Sequence, residues 1–212
     1  MPEPTPPSRL LVTAFEPFGA PGQPKRAANA SEEVLRAFAE RHPGRCDLLV
    51  LPVDPRCEVR LARAMNGNPA GVVAMGEAGL PGAWDTNVEA RAYDRRVSAS
   101  GAAAATAATA ATAATAATAA TAAGIANTKG SDPAVSSFAA RLHLLPGMER
   151  EDRIGSYWCN RAYFRVLQWC ALFARPGVFL HLRVEGDRAR QLLHFDHAVR
   201  AMEREAGIRV RA

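Results

Sequence analysis

Lysine is almost missing from this 212-residue chain: of its 26 basic residues, only Lys25 and Lys129 are lysine. Cysteine is also scarce and carries no pattern. Cys46, Cys57, Cys159 and Cys170 form no CxxC pair and have no matching histidine cluster, so the sequence offers no zinc site and no metal is expected. No Gly-x-Gly-x-x-Gly and no phosphate-binding loop occur. Gly76, Gly79 and Gly82 fit neither spacing, so no nucleotide cofactor is expected. The first ten residues hold no apolar run of the kind a signal peptide needs, which makes the cytoplasm, with free thiols, the expected setting. Only residues 101–124 form a neutral stretch long enough to cross a bilayer. They are almost wholly Ala and Thr, without the Leu, Ile, Val and Phe of a membrane span, so no membrane partner is expected.

What is present suits one globular domain. A hydrophobic share of 48% with 22% charged residues is ordinary, and the length suffices for one substantial core. The net charge of +5 lies in residues 141–212, which carry 13 Arg against 8 Asp plus Glu. An arginine-rich nucleic-acid surface is therefore one functional alternative. Against it, these arginines are scattered among acids and apolar residues, without the interleaved aromatics of a single-strand binder.

Strand and helix signals alternate through the first eighty residues. Residues 10–13 read as a buried strand stopped by Glu16-Pro17-Phe18-Gly19. Ser31 reads as an N-cap for a helix with Glu32 and Glu33 in its first turn and Val34, Leu35 and Phe38 on its apolar stripe. Residues 47–53 give a second strand, 58–65 a helix and 71–76 a third strand, before a glycine-marked loop from Glu77 to Gly82. Such alternation predicts an α/β protein, a three-layer α/β/α sandwich around a mostly parallel twisted sheet, with ligands beyond the carboxyl ends of the strands. Residues 1–8 read as a flexible tail. The 101–124 segment, with Thr every third residue from Thr106 to Thr121, reads as a low-complexity insert. Further on, residues 161–173 predict a largely buried helix and 178–184 a strand. Residues 188–206 predict an amphipathic helix with Leu192, Leu193, Phe195 and Val199 inward. His194 and His197, three apart on that helix, read as surface residues.

Three residues stand out chemically. Cys159 follows Ser156-Tyr157-Trp158 at the start of a helix, where the dipole and free N–H groups favour a thiolate and can hold an oxyanion. His181 sits within the apolar run Val178-Phe179-Leu180-His181-Leu182, where a rigid strand would fix an imidazole, although a lone histidine there is also an ordinary core residue. Glu89, between Val88 and Ala90, is an acid whose burial beside a histidine would make it an orienting carboxylate, with Glu77, Asp85 and Asp94 as neighbouring candidates. Thiol, imidazole and carboxylate are the parts of a cysteine nucleophile triad, but spacing does not bring them together. Phe15 and Phe18 flank a Pro-containing turn. They could staple the following loop, or give two apolar faces to a small flat ring.

Four segments together resemble the pyroglutamyl peptidase I (pyrrolidone-carboxylate peptidase) family: residues 11–19 with Asn29-Ala30-Ser31, residues 86–92, residues 156–160, and residues 179–182. The resemblance spans roughly residues 9–94 and 150–206 and leaves the Ala/Thr repeat outside. It implies a cysteine exopeptidase that hydrolyses the N-terminal pyroglutamyl residue from peptides through a thioacyl-enzyme intermediate, with no cofactor. It implies Cys159 as nucleophile, His181 as general base and Glu89 as its orienting partner. Phe15 and Phe18 would sandwich the lactam, Asn29 would brace their loop, and Glu77 and Trp158 would complete the substrate side. A homo-oligomer, dimer or tetramer, is implied too. The alternative within the resemblance is a relative that binds an N-terminal lactam or peptide with little or no turnover.

Overall fold

The computed structural model describes residues 9–18, 25–79, 82–94, 133–151 and 157–208. The expected tail and the expected Ala/Thr insert both lie outside the described residues, as does Ser156. Eight strands and five helices alternate along the rest. In chain order they are β1 (Leu11–Phe15), α1 (Ala30–Arg41), β2 (Asp47–Leu51), α2 (Arg56–Met65), β3 (Val72–Ala78), β4 (Thr86–Glu89) and β5 (Arg91–Ala92). Then follow β6 (Ala134–Val135), α3 (Ser137–Arg141), β7 (Met148–Glu149), α4 (Trp158–Phe173), β8 (Gly177–Arg183) and α5 (Arg188–Glu205).

Six strands form one sheet in the order β2-β1-β3-β8-β4-β7, and β5 pairs with β6 apart from it. The pairs β1–β2, β1–β3 and β3–β8 are parallel, β4 runs antiparallel to β8, and β7 is parallel to β4. A sheet buried on both faces needs apolar residues at every position. Accordingly, all five residues of β1 are buried and split by parity. Val12 and Ala14 join Val34, Phe38, Phe195 and Val199 of α1 and α5, while Leu11 and Phe15 join Leu61, Tyr163 and Leu167 of α2 and α4. The expected three-layer α/β/α sandwich around a mostly parallel sheet is therefore the observed architecture.

Local chemistry moves several boundaries. The cap of α1 is Asn29, whose side chain accepts from Ser31 N, and not Ser31. The Ser31 hydroxyl is engaged elsewhere: its Oγ accepts the Phe15 N–H at 3.1 Å and donates to Asn29 Oδ1 at 2.7 Å. β3 continues through Glu77 to Ala78, past the loop expected to begin at Glu77, because β8 offers a matching partner at each of these positions. On α5, Leu192, Phe195 and Val199 face inward as expected, and Leu193 does not. Leu193 is 58% exposed, whereas Gln191 and His194 are fully buried, each holding hydrogen bonds to neighbouring strands and loops. His194 is thus a core residue, contrary to the surface position expected for it.

Candidate active site

The site is built on one face of the sheet at the carboxyl ends of β3 and β8. Side chains alternate along a strand, so Phe179 and His181 share the face that packs on α4, and Val178, Leu180 and Leu182 take the other. In β4 the same alternation sends Val88 to the α1/α5 side and turns Asn87 and Glu89 toward His181. The ladder completes the placement: Asn87 is directly opposite His181 and Glu89 opposite Phe179.

Glu89 and His181 meet. His181 Nδ1 lies 2.7 Å from Glu89 Oε1, and both side chains are buried. A carboxylate only accepts, so Nδ1 carries the proton and donates, which leaves the lone pair on Nε2. The histidine ring also stands edge-on to Phe179, with centroids 4.9 Å apart, so its plane is held by packing as well as by the hydrogen bond. From α4, the Tyr163 hydroxyl donates to the Glu89 carbonyl at 2.8 Å, fixing the backbone of the carboxylate.

Cys159 comes from the opposite layer. Tyr157 is the N-cap of α4 in extended conformation, which makes Cys159 the second helical residue, with no acidic side chain in that first turn. Its Sγ rests on Gly76, where an added Cβ would lie 3.0 Å from the sulfur and 2.8 Å from Phe179 Cζ. Gly76 is in register with His181 on the adjacent parallel strand, so sulfur and imidazole stand over neighbouring positions of one face. Only a residue without a side chain lets α4 bring the thiol this close to the sheet. Burial pushes the Cys159 thiol up to about 12. Cys57 and Glu89 add to the rise, and its own backbone N–H opposes it. The thiol therefore rests protonated, and any thiolate must be made by a base at the site. The neighbouring Asn160 side chain accepts Tyr93 N–H at 2.8 Å and donates to Tyr93 O at 2.7 Å, tying the first turn of α4 to the chain after β5.

The expected substrate residues divide into two groups. Phe15 is 2% exposed and lies in the same cluster as Cys159, while Phe18 is half-buried against Tyr157, with centroids 5.9 Å apart, and beneath the Arg26 guanidinium. Trp158, half-buried in the first turn of α4, packs on that cluster too. Asn29 is buried and braces the turn, donating through Nδ2 to the Glu16 carbonyl at 3.4 Å while its Oδ1 caps α1. Glu77 is not brought to the thiol. Its carboxylate accepts the Ala30 N–H at 2.7 Å and pairs with Arg26 on the α1 side, where it anchors the segment following Phe18. The dipole of α1 favours a carboxylate at that end.

Asn87, Tyr163, Asn160 and Gly76 escaped the sequence reading. The Asn87-Val88-Glu89 alternation was the available signal for the first, since residues two apart in a strand share a face. Among the described residues no group of three or more His, Cys, Asp or Glu could hold a metal, and no helix is long and apolar enough to cross a membrane. Six of the ten described arginines of the C-terminal third are paired with acids: Arg141 with Glu205, Arg161 with Glu58 and Asp94, Arg165 with Glu58, Arg188 with Glu33, Arg190 with Asp85 and Arg200 with Asp196.

No protein-family model and no curated protein sequence matches the chain. Solved structures do. Variants of the pyrrolidone carboxyl peptidase of the hyperthermophile Pyrococcus furiosus superpose with a TM-score of 0.62 at 15% identity, covering 93% of this chain and 99% of theirs. The pyrrolidone carboxyl peptidase of Thermococcus litoralis gives 0.60 at 16% identity, with 97% and 100% covered. Identity this low shows the fold, which the chain shares with these peptidases over nearly its whole length.

Proposed function

We propose that this chain, built on the fold of the pyrrolidone carboxyl peptidases, is a cysteine exopeptidase that hydrolyses the N-terminal pyroglutamyl residue from peptides. The observation that carries the reading is the buried Glu89–His181 pair on the face and at the strand ends where α4 sets the Cys159 sulfur. The chemistry follows from the groups present. His181 Nε2 takes the Cys159 proton as the sulfur attacks the acyl carbon of the pyroglutamyl–peptide bond, and Glu89 stabilises the imidazolium. The N–H groups in the first turn of α4 are suited to the oxyanion. The imidazolium returns its proton to the leaving amine, the C–N bond breaks and a thioester remains. Water, deprotonated by His181, then cleaves the thioester to release pyroglutamate and restore the thiol. A lactam-blocked terminus has no charged amine, so apolar faces with a few polar groups, as at Phe15 and Phe18, are the appropriate recognition surface.

A second reading has one observation in its favour. A thiol pushed up to about 12 is a poor nucleophile without its base, and a lactam-binding protein with little turnover would need no more. Hydrolysis of a chromogenic pyroglutamyl amide decides between them. The peptidase reading expects release of the chromophore, loss of that release in Cys159→Ala, and protection of Cys159 from iodoacetamide by pyroglutamate. Protection without any turnover in the intact protein would sink the peptidase reading and leave the binder.

A further inference from the structure

The Glu89–His181 pair is held by a residue with no role so far. Asn87 is fully buried, and every hydrogen-bonding direction of its amide toward the site is used. Nδ2 donates to Glu89 Oε1 at 2.8 Å, the same oxygen that accepts from His181 Nδ1. Nδ2 also donates to the Glu151 carbonyl at 3.0 Å, and Oδ1 accepts the Glu151 N–H at 3.0 Å. The orientation of the amide is forced, because the carboxylate can only accept and the Glu151 N–H can only donate. A flipped amide would set oxygen against carboxylate.

Two consequences follow from this geometry. First, a second donor on Oε1 shares the carboxylate charge with the imidazole, which fixes the rotamer of Glu89 and moderates its pull on the His181 proton. Second, the paired bonds to Glu151 continue the β4–β7 ladder beyond Glu149, pinning the chain where it leaves β7 on its way to α4 and Cys159. The acid of the pair and the residue after β7 are therefore linked through one amide.

We propose that Asn87 is a positioning residue for the triad, setting both the orientation of Glu89 and the basicity of His181. The inference rests on the peptidase reading for its kinetic part only. Removing the amide takes one donor away from the oxygen that faces the imidazole, so the imidazolium is stabilised and His181 holds its proton to higher pH. The other titratable groups around the pair do not compete. Burial pushes Cys159 up to about 12, and Tyr163 and the nearby Tyr157 above the ordinary tyrosine range. Glu77 points to the opposite face of the sheet.

The test compares the intact protein with Asn87→Ala and Asn87→Ser. With the pyroglutamyl amide, kcat should fall about ten- to a hundred-fold at neutral pH with KM nearly unchanged, since the amide touches the acid and not the substrate. The acidic limb of the kcat profile should move up by about half a pH unit or more. The His181 ring resonance, identified by its loss in His181→Gln, should titrate at correspondingly higher pH in both variants. This NMR measurement needs no turnover. An intact protein that never hydrolyses the amide would end the peptidase reading and still leave the role of Asn87 decided by the titration. An unchanged His181 titration in either folded variant, with kcat also unchanged where turnover exists, would overturn the proposal. Using two variants keeps the test available if one fails to fold.

Discussion

Two buried histidines grip the same short strand from opposite faces of the sheet, and they are held in opposite ways. His181, on β8, reaches the α4 side of β4 and donates its Nδ1 proton to a carboxylate, Glu89, so its remaining nitrogen keeps a lone pair. His194, on α5, reaches the other side. Its Nδ1 lies 3.0 Å from Thr86 Oγ1 and its Nε2 3.0 Å from the Pro146 carbonyl. The carbonyl can only accept, so Nε2 donates and Nδ1 accepts from the hydroxyl, and both nitrogens are consumed by neutral partners. Burial lowers the His194 pKa, the Pro146 bond and Asp85 opposing the shift. The same side chain keeps a nitrogen available for proton transfer where its partner is an anion that leaves one nitrogen over. It is a strut where both nitrogens are satisfied.

The contrast can be broken most forcefully by removing each imidazole in turn. His181→Gln should cost turnover between about a hundred-fold and ten-thousand-fold, the range for a lost general base, while the melting temperature moves little. His194→Ala should do the reverse. It orphans the Thr86 hydroxyl and the Pro146 carbonyl and opens a cavity, for about 2–4 kcal/mol of stability, while kcat of the folded fraction stays within several-fold. Amidase kinetics and thermal melts on both variants check this. A kinetic loss at His194 matching that at His181 would erase the distinction drawn here.

Gly76→Ala is the next test, because it acts on the partner that His194 does not have. The added Cβ would meet Phe179 Cζ at 2.8 Å and Cys159 Sγ at 3.0 Å, so α4 or Phe179 must shift. The expected cost is about 1–3 kcal/mol of stability, the usual range for overpacking. Turnover should fall more than stability does, since the sulfur is one of the two atoms displaced. Alkylation of Cys159 by iodoacetamide, followed with and without pyroglutamate, measures whether the thiol has left its seat. Unchanged kcat in a folded variant would show that sulfur placement over Gly76 is not what turnover depends on.

Much of this was legible in the residues, for reasons that also explain what was not. Val72 to Met75 and Val178 to Leu180 are continuous apolar runs because the sheet is covered on both faces, and that pattern announces itself. α4 begins at Trp158, three residues before the start at Arg161 that the apolar pattern suggested, because its first turn carries the polar Asn160 and the apolar circumference begins only after it. The antiparallel placement of β4 beside β8 was not, since a strand of four residues takes its neighbour from tertiary pairing. Ser31 was expected to cap α1 because serine and asparagine compete for that task. The structure gave it to Asn29 once Phe15 N had claimed the serine hydroxyl. His194 was misread because buried polar residues break the apolar stripe from which a helix face is judged. Gln191 and His194 share the inward side of α5 with Leu192 and Phe195, while Leu193 faces outward. In the candidate site, Cys159, His181 and Glu89 were singled out from their local sequence alone, whereas the meeting of Glu89 with His181, and the seat of the sulfur over Gly76, depend on the register that sets Gly76 beside His181 and Asn87 across from it.

The smallest effect concerns the acidity of His194. His194 has a folded pKa lowered from 6.5, the ordinary value it regains on unfolding. Between these two values the unfolded chain binds a proton that the native state refuses, so stability rises with pH through that window. The neutral His194 contribution is therefore fully present above about pH 6.5 and is lost as pH falls below it toward the lowered native value. A proton on Nδ1 would also turn the hydroxyl of Thr86 from donor to acceptor, disturbing the first residue of the strand that carries Glu89. Melting temperatures from pH 7.5 downward should thus fall faster in the intact protein than in His194→Gln, which has no proton to gain there. Carboxylates that titrate at lower pH are common to both curves and cancel in the difference. Parallel curves for the two proteins would mean that His194 is not held neutral by its surroundings, and its contrast with His181 would reduce to position alone.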